Sequence, residues 1–208
     1  MQTRIAFSPD RRRMLRQGLR FSGGLLLGQG AQAHQGHVHP DTSPSEGYVR
    51  SMATYIVPDV KLIDANGTAV PLRNSLAGKP VMLNFIFTSC DTICPVTSMT
   101  FSQVQEALGP ERNGVHMVSV SIDPEQDTPP VLKAYAAKFH AGSQWQMLTG
   151  KIGDSIAVQR AFDVYRGDKM NHQPVTFLRG PAGERWVRMA GFASAADIVR
   201  EYRQIRTA

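Results

Sequence analysis

The chain has 208 residues and a formal net charge of +6, from 23 Lys and Arg against 17 Asp and Glu, a length that allows one domain with a real core plus extra terminal segments. The charge is unevenly placed: residues 1–33 hold six arginines (Arg4, Arg11, Arg12, Arg13, Arg16, Arg20) and one acid, Asp10, a net of +5, which leaves about +1 for residues 34–208. A folded part so nearly neutral lacks the basic footprint of a nucleic-acid binder.

Residues 1–33 read as an export signal. A basic stretch precedes the short apolar run Phe21–Gly28, and Ala31-Gln32-Ala33 supplies the small-x-small pattern after which signal peptidase cleaves. The block Asp10-Arg11-Arg12-Arg13-Met14-Leu15-Arg16 resembles a twin-arginine signal, so the expected location is the periplasm. A basic disordered tail is the alternative. A membrane-spanning helix takes about 20 apolar residues, so no stable span is expected, and the leader has no cysteine to carry a lipid. Residues 34–50, rich in His, Gly, Pro and Ser, read as a flexible tether. Their cluster His34, His37, His39 is either a solvated tail or a metal-capture site. Residues 51–208 read as the folded domain.

Within that domain, Tyr55–Ile63 and Thr68–Pro71 read as short strands about the turn Ala65-Asn66-Gly67. Val81–Phe87 is a nearly continuous apolar run, as for a strand buried on both faces. A helix follows from about Cys94 or Pro95 to Leu108, and Val115–Ile122 is a second buried strand. Thr128-Pro129-Pro130 opens a helix to Phe139, with a capping residue ahead of prolines that need no helical N–H partner. Trp145–Leu148 is a short strand, Ile152–Phe162 a helix, and Val175–Leu178 with Arg185–Met189 a hairpin about Gly180–Gly183. Ser194–Asp197 opens a last helix to about Ile205. Alternating elements imply an α/β fold, a central mixed sheet flanked by helices. The order matches a thioredoxin-like fold with an N-terminal β-hairpin extension.

Cys90 and Cys94 are the only cysteines. They fall where the first core strand passes into a helix, beyond the carboxyl end of a strand, where sites form in open α/β sheets. A helix N-terminus favours thiolate over thiol. A loop this short removes little unfolded-state entropy, so the pair is a poor structural staple and reads as redox-active or metal-binding. Two thiolates are soft ligands suited to Cu(I), with imidazole an acceptable third partner. Thioredoxin-type pairs usually enclose two residues, whereas this pair encloses three, which makes room for a metal without forbidding a disulfide. Candidate third ligands are His172, His116 and His140, of which the last two read as structural or solvated. Met99 reads as core and Met170 as exposed, either being a conceivable transient copper ligand.

The motifs Phe87-Thr88-Ser89-Cys90…Cys94-Pro95, Ser121-Ile122-Asp123-Pro124-Glu125-Gln126-Asp127-Thr128-Pro129, Leu148-Thr149-Gly150 and His172…Gly180-Pro181-x-Gly183 resemble those of the Sco/SenC family, in order, over about residues 55 to 205. The resemblance implies a thioredoxin fold holding one copper ion, Cu(I) or Cu(II), with Cys90, Cys94 and His172. It also implies a role in delivering copper to the CuA centre of cytochrome c oxidase, or in reducing that centre's cysteines. The expected partner is thus a cuproenzyme subunit or another periplasmic thiol or copper protein, and the protein itself is expected to be mostly monomeric. Asp91 stands where the family usually has proline, Asn171 where an acid commonly precedes the histidine, and the segment Tyr165–Asn171 is shorter than usual.

Two rival readings follow from the same residues. In a thiol-disulfide oxidoreductase, Cys90 attacks a substrate disulfide and Cys94 resolves the mixed disulfide; Pro174-Val175-Thr176-Phe177-Leu178 resembles the cis-proline motif of TlpA/ResA-type reductases, or is simply a proline at a strand start. A peroxidase needs an arginine near the nucleophile, and Phe85–Phe101 contains none. Asp123–Asp127 reads as a turn and helix cap, with a place in the pocket wall as the alternative.

Overall fold

The computed structural model describes residues 47–206. In chain order the elements are β1 (Tyr48–Thr54), β2 (Lys61–Asp64), β3 (Ala69–Pro71), α1 (Leu72–Ser75), β4 (Val81–Ile86), α2 (Ile93–Leu108), β5 (His116–Ser121), α3 (Pro129–Lys138), β6 (Trp145–Thr149), α4 (Ile152–Ala161), β7 (Val175–Arg179), β8 (Arg185–Gly191) and α5 (Ala195–Ile205), with 3₁₀ turns at Gly109–Gly114 and Lys169–Asn171. The eight strands form one sheet in the order β1-β8-β7-β4-β5-β6-β2-β3. β4 runs parallel to β5 and antiparallel to β7; β-α-β units are followed by a β-β-α return, the thioredoxin-like arrangement.

Every residue of β4 is buried, because helices cover both sides of the sheet. Its side chains alternate as strand geometry requires: Val81, Leu83 and Phe85 pack toward α1 and α4, Met82 and Ile86 toward α2, α3 and α5. Asn84 would be costly in such a place without partners; its Oδ1 accepts from Ser119 Oγ (2.6 Å), and Ser119 Oγ accepts from Trp145 Nε1 (2.9 Å). On the first face, Phe162 packs against the rings of Tyr55, Phe85, Phe177 and Trp186, with centroids 5.1–5.9 Å away.

The β2–β3 hairpin forms at the expected turn, where Asp64 Oδ1 accepts from the N–H groups of Asn66 (2.9 Å) and Thr68 (2.8 Å) and Gly67 takes φ 83°. α5 opens with a reciprocal capping box between Ser194 and Asp197. Three expectations need correction, and one element was not foreseen. Strand β1 starts at Tyr48, inside the stretch read as tether; it is mostly exposed, so it shows no apolar alternation, and it is made a strand by seven register pairs with β8. Arg50 fastens it further to Glu201 (2.8 Å). The strand read over Tyr55–Ile63 shrinks to Lys61–Asp64, since Pro58 lacks a ladder donor and Tyr55, Val57 and Val60 pack on the core from a loop. The single turn α1 carries no periodic signal. Thr128 occupies the N-cap of α3 without a side-chain cap bond: Pro129 and Pro130 have already removed two of the orphan donors. Among the described residues no helix is long and apolar enough to cross a membrane.

Since Phe162 is fully buried at the centre of this aromatic group, Phe162→Ala is expected to cost about 3–5 kcal/mol, read as a lowered urea midpoint at unchanged slope.

Candidate functional site

The end of β4 builds the site. Even-numbered residues of this strand turn their carbonyls to β5, as Ile86 does toward the N–H of Ile122 (2.9 Å), so odd-numbered residues face β7. The β4–β7 ladder ends at the pair Asn84–Thr176, beyond which Phe85 C=O and Phe87 N–H have no strand partner. Buried backbone groups need one. The Phe87 N–H donates to Cys94 Sγ (3.4 Å), and His172 Nε2 lies 3.2 Å from the Phe85 oxygen. A carbonyl only accepts, so Nε2 carries the proton and Nδ1 keeps its lone pair.

The cysteines are in contact at the head of α2. The Cys94 N–H donates to Cys90 Sγ (3.4 Å), and Thr92 Oγ1 lies 3.8 Å from the same sulfur. Both thiols are free, Cys94 buried and Cys90 half-buried. Burial pushes the Cys90 thiol up, but the N–H groups of Cys94 and Thr92 aimed at its sulfur outweigh that and hold it below its ordinary value. Burial pushes the Cys94 thiol up to about 12, against the Phe87 N–H and reinforced by charge on Cys90. The pair therefore comprises one accessible, easily ionised sulfur and one shielded, reluctant one.

A buried carboxylate shapes the surrounding loop. Asp127, fully buried, accepts at Oδ1 from Thr88 N–H (3.0 Å) and Thr88 Oγ1 (2.6 Å), and at Oδ2 from Ser121 Oγ (2.5 Å). It ties the cysteine loop to the end of β5. One turn beyond Cys94, Ser98 Oγ meets the Tyr135 hydroxyl at 2.9 Å, and burial pushes that phenol well above its ordinary value. The motif Asp123–Asp127 signals a turn in sequence; the reach of Asp127 to Thr88 and of Ser98 to Tyr135 has no local signal.

His172, 6% exposed, borders a cleft of about 340 Å³ between α4, the loop after β5 and its own loop. Burial lowers its basicity, opposed by the Phe85 carbonyl and aided by Arg166. Its loop is pinned by Lys169, whose Nζ donates to Asp123 Oδ2 (2.5 Å) and sits 5.6 Å from the Phe87 ring centre. The structure thus puts the histidine and the cysteines against one strand end, on backbone groups two residues apart, roughly 7 Å of extended chain. It does not bring them together: among the described residues no three of His, Cys, Asp or Glu are grouped to hold a metal ion.

Other sequence candidates lie apart. His116 begins β5, paired with Val81 at the opposite end of the strands, and His140 is exposed after α3. Met99, read as core, is 50% exposed: five residues place it about 140° around α2 from Cys94. Met170 is exposed as expected. No cis peptide occurs among the described residues, so the bond before Pro174 is trans. His34, His37 and His39, the leader and most of the tether lie outside the described residues.

The SCO1/SenC family model matches residues 50–207. A SCO1 protein homolog of Bacillus subtilis (strain 168) is 31% identical over 145 residues, covering 65% of this chain and 74% of its own length. Among solved structures, BsSco, described as a member of the Sco family of cytochrome c oxidase assembly proteins in which a disulfide switch is identified, aligns at 30% identity and a TM-score of 0.64, over 76% of this chain and 98% of its own. Bradyrhizobium japonicum ScoI with copper bound aligns at 26% identity and a TM-score of 0.61, over 72% and 99%.

Two measurements check this geometry. Iodoacetamide at neutral pH is expected to alkylate Cys90 at least about a hundredfold faster than Cys94, with equal rates once the chain is unfolded, as read by peptide mass spectrometry. His172 is held neutral when folded, so its contribution to stability is present above about pH 6.5 and is lost as pH falls toward its lowered folded value, where the unfolded chain binds the extra proton. His172→Gln should flatten the fall in urea midpoint over that window, leaving the part due to other groups such as His116.

Proposed function

The chain belongs to the SCO1/SenC family, and on that premise we propose that it is an exported copper-binding protein that carries one copper ion on Cys90, Cys94 and His172. Its leader over residues 1–33 directs it to the periplasm by the twin-arginine route. It delivers copper to a cuproenzyme site such as the CuA centre of cytochrome c oxidase, or prepares that site's thiols.

The observation that carries this reading is the pair of free sulfurs meeting at one helix head with a buried neutral imidazole against the same strand end. Two thiolates and an imidazole are a soft donor set that suits copper. The lone pair that His172 keeps on Nδ1 is the form a metal takes, and its other nitrogen already donates to a carbonyl, as ligating histidines commonly do. The unequal thiols suit a carrier: Cys94 anchors the ion from within the core, while Cys90 offers the face at which an incoming thiol can exchange. Because Cys94 holds its proton so firmly, loading releases that proton, and apparent copper affinity rises with pH.

One observation favours a second reading. An accessible thiol of lowered pKa beside a shielded one of raised pKa is the division of labour of a dithiol reductase. Cys90 thiolate attacks a substrate disulfide and expels one substrate thiol; Cys94, losing its proton, attacks Cys90 and expels the second. The substrate gains two electrons and the protein is left as a Cys90–Cys94 disulfide.

Copper titration of the exported protein separates the two. Wild type should bind one equivalent, Cys90→Ser with Cys94→Ser none at its own site, and His172→Ala should lose at least about tenfold in affinity while disulfide exchange stays within about twofold. Stoichiometric copper binding in the double serine variant would end the carrier reading, and unchanged affinity in His172→Ala would remove the histidine from it.

A further inference from the structure

The cysteine loop and the histidine loop are each fastened to the short turn Ser121–Asp127. On the cysteine side, Asp127 holds both the N–H and the hydroxyl of Thr88, two residues before Cys90. On the histidine side, Asp123 holds the ammonium of Lys169, three residues before His172. Between the two carboxylates the turn is closed on itself: the N–H groups of Gln126 and Asp127 donate to Asp123 O (3.1 and 2.9 Å). Asp123 N–H donates to Ser121 Oγ (3.0 Å), whose own hydrogen goes to Asp127. The Lys169 ammonium also lies over Phe87, the residue whose N–H holds Cys94.

From this continuous chain of contacts we propose that Lys169 is a positioning residue, clamping the histidine loop to the turn that braces the cysteine loop and so setting the separation that a shared ion would bridge. The inference rests on the ligand set proposed above. The lysine side chain is over a third exposed, whereas the Asp123 carboxylate it meets is 10% exposed, so the ammonium is drawn to the turn by a shielded charge. The histidine loop has few other anchors: Asp168 Oδ1 caps the Met170 N–H (2.9 Å), the His172 N–H returns to Lys169 O (3.1 Å), and the imidazole meets Phe85. The first two are internal to the loop. Among the described residues, Lys169 and the imidazole tie the stretch Asp168–His172 to the rest of the fold, and the next anchor is Pro174 O, which accepts from the Gly191 N–H (2.9 Å). Lys169 is the anchor of the two that leaves the imidazole nitrogens uninvolved, so it fixes the loop whatever His172 Nδ1 meets.

The test uses the full exported chain with Lys169→Met, which keeps the length and loses the charge, and Lys169→Arg, which keeps the charge. In metal-free protein, ¹⁵N spectra of the His172 ring should report the Nε2–H form in wild type and in Lys169→Arg, and an averaged, more mobile ring in Lys169→Met. Copper affinity at low salt should fall about threefold in Lys169→Met and be retained in Lys169→Arg. Added salt should bring wild type toward the methionine variant. Cys90 alkylation rate should be the same in all three. An unchanged His172 ring in Lys169→Met, or an arginine variant that behaves like methionine, overturns the clamp. A ring that moves in Lys169→Met while His172→Ala leaves copper affinity untouched supports the clamp and sinks the ligand assignment instead.

Discussion

One strand end governs the site. Where the β4–β7 ladder stops at Asn84–Thr176, a buried carbonyl and a buried N–H are left facing where β7 would have continued. An unmet buried backbone group costs about 1–3 kcal/mol, so both positions demand partners, and the chain supplies two side chains with soft or basic lone pairs in place of a strand. The Phe87 N–H takes the sulfur of Cys94 and the Phe85 carbonyl takes the ring of His172. The same requirement that ends the sheet therefore recruits the two shielded members of the site. Cys90, outside that requirement, remains at the surface of it.

The inequality of the two sulfurs follows directly. Cys94 is locked in the core by the strand it completes, and burial makes its ionisation hard; Cys90 sits on the loop, and the first free N–H groups of α2 turn toward it. A helix head thus stabilises only the sulfur it points at. Asp127, without touching either sulfur, holds the segment leading into Cys90 through Thr88, and its negative charge adds a little to the reluctance of Cys94.

Much of this was legible in the sequence. Elements with strong periods or strong boundaries read correctly: the nearly all-apolar Val81–Phe87, the Asn66-Gly67 turn, and the Ser194–Asp197 cap. So did the position of Cys90 and Cys94 at a strand-to-helix junction. Strand β1 did not, because an exposed edge strand is defined by the neighbour it pairs with rather than by its own pattern. Met99 misled because an apolar residue near a site looks like core until the helix phase is set by Cys94, Phe101 and Val104. The resemblance implied His172 as a partner of the two cysteines, but not its bond to the Phe85 carbonyl, which depends on where a ladder ends 87 residues earlier. Asp127–Thr88 and Lys169–Asp123 are long-range pairs of common residue types, and no single-chain pattern announces them.

Copper carriage and disulfide exchange are not independent options for one pair of sulfurs. A Cys90–Cys94 disulfide has no thiolate to offer, so any ion held there binds only the reduced form. Binding that excludes one of two states shifts their balance by mass action. For a two-electron couple, each tenfold of free ion above its dissociation constant raises the reduction potential by about 30 mV. On the proposed ligand set, bound copper would therefore keep the thiols reduced, and an oxidant that closes the disulfide would eject the ion. The two proposed roles thus draw on the same two sulfur atoms, and whether those are thiols or a disulfide would decide which role is open to them.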